Sequence, residues 1–104
     1  MIGLGKWNLD VSIPLVKVNP ILTISNNNGN YDFTIDLGGF GASPAVNLLT
    51  VTEQGNTLFI KHTIPMLNSG ELDASLTFEG MYCKGVLEIP MLGKITVKGV
   101  KVGD

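Results

Sequence analysis

Apolar and polar residues alternate along much of the chain with a period of two. Trp7, Leu9, Val11 and Ile13 fall on one parity, and Lys6, Asn8, Asp10 and Ser12 on the other. Successive side chains of a strand point to opposite faces, so this is a strand with one face in a core and one in water. The pattern recurs in Tyr31, Phe33, Ile35 and Leu37 against Asp32, Thr34 and Asp36, and again in Leu72, Ala74, Leu76 and Phe78. Gly, Asn and Pro separate the runs, and amphipathic-helix spacing is absent. The pattern predicts eight strands, at 6–13, 20–25, 30–37, 45–53, 57–64, 71–79, 82–89 and 94–102. Sheets that hide one face must close or stack. The expected fold is all-β, an eight-stranded antiparallel up-and-down barrel, with a two-sheet β-sandwich as the alternative.

The chain of 104 residues has apolar material for one core, hence a single domain over 1–104. Charged residues make up 15% of it, against roughly 25% in an average soluble protein, which leaves much of the surface uncharged. The seven basic residues are all lysines, scattered, with a net charge of -2; this excludes the clustered basic stripe of a nucleic-acid binder. A single cysteine, Cys83, permits no internal disulfide and no paired zinc-ligand spacing. Neither a signal-like start nor a membrane-spanning apolar run is visible. A cytoplasmic protein is the expectation.

In a meander, alternate loops fall at opposite ends. One end receives the short polar turns NNNGN, EQGN and EGM. The other receives PLVKVNP, GGFGASP, PMLNSG and PMLGK. Pro14, Pro65 and Pro90 lack a backbone N–H and so end their strands. Leu15, Val16, Phe40, Met66, Leu67, Met91 and Leu92 then crowd one rim. Apolar residues gathered there point to a ligand mouth, a surface for a second copy in a homodimer, or, behind these, a membrane contact. The opposite end reads as a floor built by Trp7, Tyr31 and Phe78, with Lys101 set to lay its stem over the Trp7 ring in a cation–π contact.

His62, the single histidine, shares a face with Leu58, Ile60 and Ile64, and therefore points inward near the rim. Pairing Val51 with Leu58 sets Leu49 opposite Ile60 and Asn47 opposite His62; pairing Ile64 with Leu72 sets Ala74 beside His62. An imidazole oriented by an amide can hydrogen-bond a ligand or act as acid or base. It can equally be a core histidine satisfied by Asn47. The candidate ligand-binding residues are His62, Asn47, Phe40, Met66, Met91 and Leu15, with His62 also the candidate catalytic residue. No cofactor or metal is expected. GGFGAS at 38–43 precedes a strand rather than a helix, so it is no phosphate loop. Asp10, Asp32, Asp36, Asp73, Glu79 and Glu88 have outward parity, which argues against paired-carboxylate chemistry, and Cys83 reads as a small core residue.

Gly5-Lys6-Trp7 on the first strand and the basic Lys101 near the end of the last resemble the G-x-W and closing cation of lipocalins and their calycin relatives, with lysine where the family usually has arginine. GKWNLDVSIP and LTFEGMYCKGVLEIPMLGKITVKG also resemble small bacterial β domains with a Gly-x-Trp start, a Phe-x-Gly hairpin and a Val-x-Gly ending. The calycin resemblance implies a barrel holding a small apolar molecule; a few such barrels are isomerases, cyclases or lyases. In a chain shorter than a typical lipocalin, the implied cavity is small or filled. The functional alternatives are therefore a small-molecule binder, a structural or dimerising domain, and a cofactor-free enzyme using His62 with Asn47.

Overall fold

The computed structural model describes residues 1–13, 16–36, 47–63, 70–89 and 93–104. The strands are β1 (Gly5–Ile13), β2 (Val16–Val18), β3 (Ile21–Asn27), β4 (Asn30–Asp36), β5 (Asn47–Gln54), β6 (Thr57–Thr63), β7 (Leu72–Glu79), β8 (Tyr82–Ile89) and β9 (Gly93–Gly103). They form one antiparallel sheet in the order β4-β3-β1-β9-β8-β7-β6-β5, with β2 on β1. The sheet is an all-β, nearly closed eight-stranded barrel, and the described residues contain no helix.

The ninth strand is only apparent. Val11 pairs with Val18 on β2, and Trp7 pairs with Leu22 on β3, in one continuous register along β1. Between them the Leu9 N–H donates to the Pro20 carbonyl at 2.9 Å. β2 and β3 are thus one strand interrupted at Asn19 and Pro20, because proline has no N–H to give the ladder. The expected second strand at 20–25 was too short at its front, and Val16 belongs to the sheet rather than to a rim loop.

At the polar end, two-residue loops join β3 to β4, β5 to β6 and β7 to β8, since Asn27 pairs with Asn30, Gln54 with Thr57 and Glu79 with Tyr82. In the first, Asn28 and Gly29 both have positive φ, 53° and 88°, as a type I′ turn requires. The Asn26 side chain accepts from the Gly29 N–H at 2.7 Å.

The barrel closes by pairing β1 with β9, Trp7 opposite Lys101. The expected cation–π contact between these two is absent: the Lys101 ammonium lies 3.5 Å from Asp104 instead, and its stem passes over Gly5, where a Cβ would come within 2.7 Å of Cε. Trp7 and Phe78 do build the floor, their rings 5.0 Å apart, and the indole N–H donates to the Gly3 carbonyl at 2.8 Å. Above them Leu9, Leu22, Ile24, Phe33, Leu58, Leu76 and Val97 form the core. β4 and β5 share no ladder. Across that seam the Tyr31 hydroxyl donates to Glu53 and accepts from the Ile2 N–H.

Candidate functional site

His62 stands on β6 with inward parity and is 5% exposed, as the alternation required. Its strand neighbours differ from expectation. On β5 it faces Leu48, and on β7 it faces Leu72; Ala74 faces Ile60 instead. Asn47 lies opposite Thr63 and is exposed, so the expected amide partner points to solvent.

Two local features cause the difference. The β5–β6 loop is Gly55–Asn56, which places Val51 opposite Ile60 rather than Leu58. A β-bulge between Leu48 and Thr50 then adds one residue to β5 and inverts parity beyond it. Leu48 becomes partly buried, while Leu49, expected to face Ile60 inside, is 51% exposed.

The consequence is a polar atom in a greasy place. Both cross-strand neighbours of His62 are leucines, and its Nδ1 is buried without a hydrogen-bond partner among the described residues. The imidazole borders an interior cavity of about 90 Å³. Leu22, Phe33, Ile60, Leu76 and Val97 supply much of its wall, and His62 is the one polar side chain among its described lining residues. Burial pushes the imidazole below its ordinary pKa, and the negative charge of Asp73 partly opposes this. The neutral ring is therefore the favoured form inside.

Phe40, Met66, Met91 and Leu15, the expected rim contacts, lie outside the described residues, as do Leu67 and Leu92. The strand ends that flank them, at Ile13, Asp36, Thr63 and Ile89, are at the end of the barrel opposite the polar turns. Cys83 is buried and its thiol is pushed up to about 11 by burial, which suits packing rather than nucleophilic attack. Among the described residues, no group of three or more His, Cys, Asp or Glu side chains comes together.

One surface feature was missed from the sequence. Met81, Tyr82, Val100 and Val102 are 55%, 66%, 45% and 56% exposed, and Tyr82 pairs directly with Val100 across β8 and β9. Their outward position was legible in the alternation, but their adjacency depends on register. They lie at the polar-turn end, away from the expected greasy rim. In comparisons with known proteins, no family model matches this chain, and neither curated proteins nor solved structures provide a match.

Proposed function

We propose that the protein binds a small, mainly apolar molecule inside its barrel, entered from the end where β1, β4, β6 and β8 finish. The carrying observation is His62 Nδ1, without a hydrogen-bond partner among the described residues, at a cavity whose other described lining residues are apolar. A buried nitrogen without a partner costs about 1–3 kcal/mol, and a ligand group reaching it would recover that cost. A nearly closed eight-stranded barrel is also the architecture of lipocalins, whose barrels hold molecules of this kind. An isomerase, cyclase or lyase using His62 with Asn47 finds no support, because Asn47 faces outward opposite Thr63. Titration of small apolar probes, followed through the methyl resonances of Leu22, Ile60, Leu76 and Val97, tests the proposal. Saturable shifts on these residues support it, and their absence with every probe contradicts it.

A second reading, pairing of two copies into a homodimer, is favoured by the exposed Met81, Tyr82, Val100 and Val102, since contiguous apolar surface commonly marks an interaction site. Sedimentation at increasing concentration separates the two. A dimer that Tyr82→Lys and Val100→Lys dissociate supports this surface; a monomer throughout rejects it.

A further inference from the structure

Resting on the ligand-binding reading, the geometry points to the chemical class of the molecule: a short, neutral alcohol whose hydroxyl meets His62 Nδ1 and whose hydrocarbon part fills the cavity beneath it. Three properties of the site lead there.

The first is charge. No Lys, Asp or Glu is among the described residues lining the cavity. Lys61, beside His62, is exposed with its ammonium 3.2 Å from Glu71. Asp73, beside Leu72 on β7, is exposed as well. The flanking residues on β5 and β7 are Leu48 and Leu72. A carboxylate or ammonium brought inside would lose its hydration and gain no opposite charge, a cost far above that of a neutral group.

The second is the bonding capacity of the nitrogen. In a neutral imidazole, Nδ1 either donates or accepts according to the tautomer. A carbonyl or ether oxygen can only accept. A hydroxyl can serve either tautomer, donating to a bare Nδ1 or accepting from a protonated one.

The third is size. The cavity, about 90 Å³, is smaller than the roughly 150 Å³ engineered apolar cavity that takes benzene. It therefore suits a molecule of about five heavy atoms rather than a long acyl tail.

His62 is the single histidine, so its imidazole nitrogens give unambiguous signals in the ¹⁵N-labelled full chain. The probes are 1-butanol, its hydrocarbon counterpart n-pentane, and butyrate at neutral pH. Butanol should move the Nδ1 resonance saturably, pentane should shift the cavity methyls with Nδ1 unmoved, and butyrate should bind at least about tenfold more weakly than butanol. His62→Leu should weaken butanol about tenfold and change pentane less than about twofold. The nitrogen readout on the unmodified protein stands whether or not the variant folds. Butanol saturating the methyls with Nδ1 unmoved, or butyrate binding as tightly, would overturn the alcohol assignment and leave the ligand-binding reading in place. Failure of all three probes to shift any cavity methyl would overturn both.

Discussion

Substituting leucine for His62 should make the protein more stable while damaging its site. The side chain is 5% exposed, between Leu48 and Leu72, and Nδ1 has no hydrogen-bond partner among the described residues. Leucine is close to imidazole in volume, so the change keeps most of the packing and removes the unsatisfied nitrogen, whose burial costs about 1–3 kcal/mol. For a domain near this size each 1 kcal/mol moves Tm by about 4–8 °C, so a rise of at least about 4 °C is expected near neutral pH. A second effect follows from the lowered imidazole pKa, caused by burial and partly opposed by Asp73. When the folded value lies below the unfolded 6.5, the unfolded chain binds more protons as pH falls. The stability is therefore full above about 6.5 and is lost as pH falls toward the folded value. With no other histidine in the chain, the leucine variant should lose most of the stability decline between about pH 7 and 5.5. Urea unfolding of both proteins, read by the fluorescence of the buried Trp7, measures both effects. A leucine variant that is less stable at neutral pH, with the acid slope unchanged, would refute the reasoning, because His62 would then be a satisfied structural side chain.

Gly85→Ala should be severe, since a Cβ there would lie 1.8 Å from the Ser75 carbonyl oxygen and 2.8 Å from its carbon. Backbone cannot move aside as a flexible side chain can, so a loss of about 3 kcal/mol or more is expected by denaturant unfolding, and a loss below about 0.5 kcal/mol would contradict the close approach of β7 and β8. Tyr31→Phe removes the hydroxyl that joins Ile2 and Glu53; amide exchange in β5 near Glu53 should quicken, and stability should fall by about 0.5–1.5 kcal/mol. Burial and the Glu53 hydrogen bond raise the Tyr31 pKa above 10.0, so its contribution is present below that pH and lost as pH rises through the folded value. Cys83, buried with its thiol near 11, should react with a thiol reagent at neutral pH only at the rate of unfolding; rapid labelling of the folded protein would contradict its placement.

Strand number and barrel closure were legible because alternation survives errors of a residue or two at strand ends. Trp7, Leu9 and Val11 are buried whatever the exact pairing, and His62 faces inward for the same reason. Details that depend on register were hidden. Asn19 and Pro20 read as a break in the chain, although proline removes only one donor and the strand resumes beyond it. The doublet Leu48-Leu49 supplies an apolar residue to either parity, so nothing in the pattern marks the bulge that turns Asn47 outward. The loneliness of His62 Nδ1 was illegible for that reason: it needs both the β5 bulge and the β6–β7 register, which together surround the imidazole with Leu48 and Leu72. The outward parity of Tyr82 and Val100 could be read, but only the β8–β9 pairing makes them neighbours.

The most direct test of the ligand-binding account is a high-resolution crystal structure of the protein soaked in 1-butanol. The account predicts ordered density for the alcohol in the cavity beside Ile60 and Val97, with its oxygen at hydrogen-bond distance, about 2.7–3.2 Å, from His62 Nδ1. A cavity closed by its own side chains, with Nδ1 bonded to a protein group and no alcohol inside, would contradict it.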